Sequence, residues 1–298
     1  MSDFSPEVRN SAWWSGDSRK AAQGKANEAI LIKLGLMEPP DLSQVEAVQM
    51  GHVMEPVIGQ LASQKLGIGL RKLEDARTHP KESWLRSHFD FVGEQDGQTV
   101  LVECKNYNAA VRNKFDPDSG VMPAPDRAQL IHEAAVFGIQ TIYLAVLFGG
   151  QEFTLTRVEV SDTEKEEFIK EMASFWGKVQ ARTPLDPETP EQARVMFPWS
   201  EAKAKTASRE LEMAAGALRS VKDQIKALEA QEEALAAMLM RTLGDADTLV
   251  GVDGTVLATW KQAKPSKRFD AKLFQTSMPA IYNQFVRDVE GSRRFLVK

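Results

Sequence analysis

Cysteine is almost absent from this sequence, with one in 298 residues. A single cysteine excludes a disulfide framework, a cysteine-rich zinc site and a four-cysteine iron–sulfur cluster, and it is typical of a reducing compartment. The four histidines include no His-x-x-x-His pair, so we expect no histidine zinc site. The Gly-x-x-x-x-Gly-Lys motif that cradles nucleotide phosphates is also missing from the sequence.

Long hydrophobic runs and an excess of positive charge are missing too. No apolar stretch is long enough to span a bilayer, and no basic-then-apolar export signal is present, so we expect a cytoplasmic protein without a membrane partner. The net charge is −5, with 43% hydrophobic and 27% charged residues, which is ordinary for a globular chain of this size. Binding to a polyanion would therefore depend on local basic patches and metal ions.

Two apolar runs joined by a turn carry the most informative chemistry. The Asp96-Gly97 pair predicts a hairpin that brings Asp90 on the first run towards Glu103 on the second. Because side chains alternate along a strand, Glu103 and Lys105 share a face and Cys104 points away into the core. Paired carboxylates bind Mg²⁺, and an adjacent ammonium stabilises a phosphoryl transition state. A surface ion pair is the alternative, but charges that interrupt an apolar strand favour a functional site.

For the other candidate site residues, sequence spacing alone gives weaker support for a functional role. Glu55 could provide a third carboxylate, through water or at a second metal. The basic cluster Arg19, Lys20 and Lys25 could contact DNA phosphates or form a solvated helix face. Gln129 is, by spacing alone, a solvated helix residue.

The sequence predicts an α/β (α+β) protein in four parts. Residues 1–182 form the first domain, with residues 1–40 mostly helical and residues 106–125 in a loop. Helices are expected at about 43–66, 126–137 and 162–182, and strands at 141–148 and 152–160. Residues 183–199 contain three prolines within eight positions and predict an extended linker.

The remaining two parts are a long helix and a small tail unit. Residues 200–244 predict a helix with apolar residues at coiled-coil spacing, which would fold back on the core or self-associate. Glu232 is the one break in the apolar series, whose members are Leu211, Ala214, Leu218, Val221, Ile225, Leu228, Leu235 and Leu239. Residues 245–298 predict a small α+β module with a basic run for nucleic acid or an acidic partner, or a solvated loop.

Over roughly residues 10–175 the sequence resembles the YqaJ-type viral recombinase nucleases, close to lambda exonuclease, within the PD-(D/E)xK superfamily. The matching pieces are the Trp13-to-Lys25 opening, Gly51-x-x-x-Glu55-Pro56, Asp90, Glu103-x-Lys105, and Gln129 with His132 ahead of the Tyr143–Gly150 strand and turn. Two positions depart from the family pattern. Phe89 replaces the usual proline before the aspartate, and Lys25 is the candidate substitute for a small hydroxyl residue expected after the arginine.

The resemblance implies a restriction-endonuclease-like core, a mixed sheet flanked by helices, with Mg²⁺ at its edge and Mn²⁺ as a substitute. It implies Asp90, Glu103 and the backbone carbonyl of Cys104 as metal ligands, with Glu55 assisting. Lys105 would position the attacking water and Gln129 would support the active centre. Arg19 resembles the family's phosphate-anchoring arginine.

The activity that the resemblance implies is resection of double-stranded DNA ends, 5′-to-3′, during phage or prophage recombination in a bacterial cell. The product would pass to a single-strand annealing protein, and the chain would form a homo-oligomer, a trimer by resemblance. A phage-related endonuclease and a non-catalytic DNA-binding or scaffold protein are the alternatives. An endonuclease would nick closed circular DNA, whereas an exonuclease needs a free end.

Overall fold

The computed structural model describes residues 5–298, which divide into two compact units, residues 5–197 and residues 198–298. No helix among these residues combines the length and the apolar character needed to cross a bilayer.

The first unit mixes helices and strands along the chain. Its helices are α1 Pro6–Asn10, α2 Ser15–Ala21, α3 Ala26–Lys33, α4 Glu46–Leu66, α5 Ala124–Phe137, α6 Asp162–Gln180 and α7 Pro190–Met196. Its strands are β1 Trp13–Trp14, β2 Leu70–Lys72, β3 Arg77–Thr78, β4 Leu85–Ser87, β5 Phe91–Gln95, β6 Gln98–Tyr107, β7 Thr141–Phe148 and β8 Glu152–Glu159. A 3₁₀ helix, Ala109–Lys114, and an Asp116–Val121 bridge occupy the predicted loop.

A five-stranded mixed sheet organises this unit, in the order β2-β5-β6-β7-β8. Strands β6 and β7 are parallel and the other neighbours are antiparallel. Every residue of β7 is buried, as expected for an interior strand of a sheet covered on both faces. The β5–β6 turn holds Asp96 and Gly97 at positive φ (51° and 77°), the conformation of a two-residue hairpin turn. The predicted mixed sheet flanked by helices is thus confirmed.

Helices α4 and α5 cover opposite faces of the sheet. Helix α4 buries Ile58 and Ala62 against Val100, Val102 and Cys104 of β6. A Cβ on Gly59 would lie 2.5 Å from the Phe91 ring, so only glycine lets α4 approach β5 this closely. On the other face, α5 buries a run of apolar residues that includes Leu130, Ile131 and Ala134. Alternation along β6 therefore sends Glu103, Lys105 and Tyr107 towards the α5 side.

Two expectations for the first unit differ from the structure. The Trp13-Trp14 pair forms the short strand β1, parallel to β4, within residues 5–40, where the other elements are helices. The proline-rich segment, predicted to be an extended linker, contains α7, because Pro190 at the first helical position follows the N-cap Thr189. Gln192 of α7 is buried and accepts a hydrogen bond from Asn27 Nδ2 (2.8 Å), so part of this segment packs on the first unit. The four-part domain division stays a prediction.

The second unit contains one long helix and a few short elements. These are α8 Arg209–Leu243, a β9 Thr248–Val250 and β10 Val256–Thr259 hairpin, α9 Ala271–Ser277 and α10 Pro279–Phe285. Ser208 caps α8, which begins later than the predicted residue 200. The Asp253-Gly254 turn lies between β9 and β10, and the hairpin with α9 and α10 agrees with the predicted α+β character of residues 245–298.

Candidate active site

The hairpin places Asp90 beside Glu103. Phe91 of β5 pairs with Val102 of β6, so one position further along the two strands Asp90 lies opposite Glu103. The backbone N–H of Cys104 donates to Asp90 Oδ2 (2.8 Å), which fixes the carboxylate against β6. Burial, and then the charge of Glu103, raise the pKa of Asp90 well above its ordinary value. The carboxylates therefore repel each other, and a cation between them would relieve that repulsion.

Lys105 completes the group predicted from the strand pattern. Its Nζ lies 2.5 Å from Glu103 Oε1, and both side chains are largely buried (19% and 5% exposed). Burial is the largest single influence and lowers the pKa of Lys105, but the charge of Glu103, its hydrogen bond and the charge of Asp90 together raise that pKa above its ordinary value. Lys105 is thus a permanent cation at neutral pH.

Gln129 reaches the same carboxylate from α5. Its Nε2 donates to Glu103 Oε1 (2.6 Å) and to Glu133 Oε1 (2.9 Å). Glu133 is 1% exposed, and burial together with Glu103 raises its pKa well above the ordinary value. Sequence reasoning missed Glu133, although its i,i+4 spacing from Gln129 on a helix was a usable signal.

Arg19 joins this network in a cage formed by Asp126, Tyr107 and Gln129. Its Nη1 lies 2.5 Å from Asp126 Oδ1 and 3.3 Å from Gln129 Oε1, and its Nη2 donates to the Tyr107 hydroxyl at 2.7 Å. Tyr107 in turn donates to Asp126 Oδ1 (2.6 Å). Burial lowers the pKa of Arg19, but Tyr107 and Asp126 more than compensate and raise it. Burial also raises the pKa of Tyr107 to about 12, so the phenol keeps its proton.

The other two cations of the predicted DNA-binding cluster lie elsewhere. Lys20 Nζ pairs with Glu28 Oε1 (2.7 Å), and Lys25 is exposed just before α3. The structure brings only Arg19 of the three to the carboxylates, so a DNA-binding role for Lys20 and Lys25 stays a prediction.

Glu55 approaches the site from α4, which continues through Pro56. Glu55 Oε1 lies 2.8 Å from Lys72 Nζ, and its charge contributes to the raised pKa of Asp90. Lys72 at the end of β2 is therefore a second cation near the carboxylates, and sequence reasoning missed it. Its pKa is raised, mainly by the hydrogen bond to Glu55.

The donor set fits a hard divalent cation with few protein ligands. Within residues 5–298 no group of three or more His, Cys, Asp and Glu side chains is placed to hold a metal ion. Asp90 and Glu103 remain as adjacent carboxylates, and Mg²⁺ characteristically takes one or two carboxylates and keeps several waters. The Cys104 carbonyl stays a predicted ligand. The Cys104 side chain lies 9% exposed in the α4-side core, where burial raises the thiol pKa, so it is no nucleophile.

No protein-family model matches this chain. It is 24% identical over 273 residues to the uncharacterized protein YqaJ of Bacillus subtilis (strain 168), spanning 87% of this chain and 82% of that one. Among solved structures, an alkaline exonuclease (LHK-Exo) from Laribacter hongkongensis superposes with a TM-score of 0.49 at 18% identity, over 59% of this chain and 92% of that one. A phage related exonuclease from Haemophilus somnus 129PT gives a TM-score of 0.41 at 14% identity, over 55% of this chain and 81% of that one. The similarity to YqaJ along most of both sequences confirms the YqaJ-type resemblance found in the motifs.

Proposed function

We propose that this chain is a Mg²⁺-dependent deoxyribonuclease of phage recombination, an exonuclease that resects double-stranded DNA ends in the 5′-to-3′ direction. The observation that supports it is the meeting of Asp90, Glu103 and Lys105 where β5 and β6 pair, with Gln129 on the same carboxylate. The family resemblance of the motifs implies the phage setting, and the similarity to YqaJ supports that resemblance.

In this proposal Asp90, Glu103 and the Cys104 carbonyl hold the cation. When bound, Mg²⁺ would act as a Lewis acid on the phosphate and lower the pKa of a water. Lys105, a cation at neutral pH, orients the attacking water and offsets charge that develops on the phosphate oxygens. Gln129 holds Glu103 in one orientation through its 2.6 Å hydrogen bond. The low exposure of Glu103 and Lys105 strengthens these interactions by excluding water.

Arg19 supplies the contact that would make a DNA end the substrate. A guanidinium has five N–H donors, and the cage of Asp126, Tyr107 and Gln129 leaves donors available for a terminal phosphate. The Arg19 side chain is 27% exposed, which leaves it accessible to a ligand. The family resemblance further implies a trimer around the duplex and a single-strand annealing partner, and both belong to this proposal.

Digestion of end-labelled linear DNA and of closed circular DNA, each with and without Mg²⁺, tests the proposal. We expect Mg²⁺-dependent release of label from linear DNA and no change in the circle. Nicking of the circle would replace the exonuclease by the phage-related endonuclease. No cleavage of either DNA with Mg²⁺ or Mn²⁺ would leave the non-catalytic DNA-binding or scaffold alternative.

A further inference from the structure

The long helix α8 carries an apolar stripe that faces solvent. The stripe, called the seam below, is formed by the residues at heptad positions a and d. Position a is occupied by Leu211, Leu218, Ile225, Glu232 and Leu239, and position d by Ala214, Val221, Leu228, Leu235 and Thr242. Several of these side chains are half or more exposed, with Leu211 at 61%, Leu228 at 62% and Leu235 at 59%. A helix of 35 residues with one apolar face gains most of its stability from packing that face.

We propose that the seam binds the same seam of a second copy of this chain, in antiparallel orientation. This inference does not depend on the proposed nuclease function. In the register with the greatest overlap, the two-fold axis passes between residues 226 and 227, and all ten seam positions find a partner. The layers that form are Leu211 with Thr242, Ala214 with Leu239, Leu218 with Leu235, Val221 with Glu232, and Ile225 with Leu228, each of them twice.

Glu232 decides against a parallel pair. In a parallel pair each seam residue faces its own copy, so two Glu232 carboxylates would meet in the apolar interface. In the antiparallel pair each Glu232 faces Val221, and the two carboxylates lie on opposite sides of the axis. Lys222, beside Val221, is then placed next to Glu232 of the second copy and can neutralise it.

The charges at the e and g positions, which flank the seam, also favour the antiparallel orientation. In an antiparallel coiled coil, e positions face e positions, which brings Lys222 of each copy to Glu229 of the other. In a parallel pair, g faces e of the next heptad, and the facing pairs contain no opposite charges: Glu210 with Ala215, Ala217 with Lys222, Gln224 with Glu229, and Gln231 with Ala236. Charge complementarity thus selects the antiparallel orientation.

Single cysteines in the full-length chain test the orientation directly, in a background where the one native thiol is removed by Cys104→Ala. Leu218→Cys and Leu235→Cys chains, differently tagged and co-expressed, are expected to form a disulfide-linked heterodimer on mild oxidation. Each variant expressed alone should give no cross-linked dimer, because its cysteine faces leucine in the second copy. Cross-linking of Leu218→Cys to itself would show a parallel pair and overturn the proposal.

Charge exchange provides a second test. We expect Lys222→Glu to weaken association at least about 10-fold, because it opposes Glu229 and Glu232 of the second copy, and Lys222→Glu with Glu229→Lys to recover part of the loss. Lys226→Glu, on the outer face of the same helix, makes the same change in net charge and should leave association unchanged. Sedimentation of the wild type should show an assembly with an even number of chains, whether or not the first unit also associates. A monomer or a bare trimer at micromolar concentration would contradict the proposal.

Discussion

At the scale of single residues, the candidate site places negative groups where water cannot screen them. Glu103 is almost fully buried, with Asp90 beside it and Glu133 joined to it through Gln129. Lys105 compensates one negative charge. The sheet and α5 hold the remaining carboxylates close together although they repel each other. Such an arrangement lowers the stability of the metal-free fold and raises its affinity for a divalent cation.

Asp90→Asn should stabilise the metal-free protein while abolishing cleavage. The pKa of Asp90 in the fold lies above its ordinary value, so ionised Asp90 costs stability as pH rises through the raised pKa. Asparagine keeps an acceptor for the Cys104 N–H and carries no charge. At pH 7 without Mg²⁺ we expect the free energy of unfolding, from urea titration, to rise by about 1 kcal/mol or more.

The exposed Asp75→Asn provides the control for Asp90→Asn and should change neither stability nor activity. Added Mg²⁺ should stabilise the wild type and not the Asp90→Asn variant. A variant less stable than the wild type without Mg²⁺ would show that Asp90 is not under electrostatic strain.

Asp126 is expected to position Arg19 for a terminal phosphate. Asp126→Asn removes the charged partner at 2.5 Å from Nη1, and a hydrogen bond to a charged group is worth about 1.5–3 kcal/mol. The ratio of digestion rates on 5′-phosphate and 5′-hydroxyl ends should therefore fall about 10-fold or more, as it should for Arg19→Ala. Tyr107→Phe should lower the ratio less, because it removes a neutral hydroxyl.

The matched control for Asp126→Asn is Glu28→Gln, which breaks the neighbouring Lys20 ion pair and should not alter the ratio. If Arg19→Ala leaves the end preference intact, Arg19 is not the anchor. If Arg19→Ala lowers it and Asp126→Asn does not, Asp126 has no positioning role.

The sequence revealed the residues whose neighbours are fixed locally. Glu103 and Lys105 share a face because they lie two apart on one strand, and Asp90 reaches them through a two-residue turn. Asp126 and Tyr107 were missed because their contact with Arg19 joins a strand, a helix and the N-terminal region, which no local pattern encodes.

At the scale of elements, a buried hydrogen-bonded chain joins α2 to α5 behind the site. His132 Nε2 lies 2.9 Å from the Arg86 carbonyl, which can only accept, so Nε2 carries the proton and Nδ1 accepts from the Ser18 hydroxyl at 2.8 Å. Trp13 Nε1 donates to the same hydroxyl (3.1 Å). This places α5, and with it Gln129, against the N-terminal helices.

The α2–α5 contact should weaken in mild acid. Burial lowers the pKa of His132 from 6.5 to about 4, so between these values the unfolded chain binds a proton that the folded chain does not. Stability from this group is therefore full above pH 6.5 and is lost as pH falls towards 4, by up to about 1.4 kcal/mol per pH unit.

The difference in unfolding free energy between the wild type and His132→Gln, measured from pH 7 to pH 4.5, checks this expectation. The wild type should lose more stability over the range, whereas His52→Gln, at an exposed histidine, should follow the wild type. Parallel curves for the wild type and a folded His132→Gln variant would contradict it.

Elements with a strong local pattern were predicted well. Strand β7 is an uninterrupted apolar run bounded by Gly138 and Gly149, and α6 begins at the Ser161 cap. Strand β1 was missed because its two residues are specified by pairing with β4, more than 70 positions away. Helix α7 was missed because three prolines outweighed the cap of Thr189 in the reading of that segment.

At the scale of the whole molecule, the two units carry separate proposals. Residues 5–197 contain the carboxylates, the ammonium and the arginine of the candidate active site, whereas residues 198–298 contain the seam for a second copy. Disrupting the seam by Lys222→Glu should therefore lower the number of chains in the assembly without removing cleavage from the active site.

Cleavage of 5′-end-labelled linear duplex by the wild type and by Glu103→Gln, with Mg²⁺ and with EDTA, tests the central claim most directly. Glutamine keeps the shape of the side chain and removes the charge shared by the cation site and Lys105, and exposed Glu94→Gln on β5 is the matched control. We expect Mg²⁺-dependent release of label by the wild type and Glu94→Gln, and a rate at least about 100-fold lower for a folded Glu103→Gln. Equal rates for Glu103→Gln and the wild type, or cleavage that persists in EDTA, would contradict the assignment of these residues as a metal-dependent nuclease site.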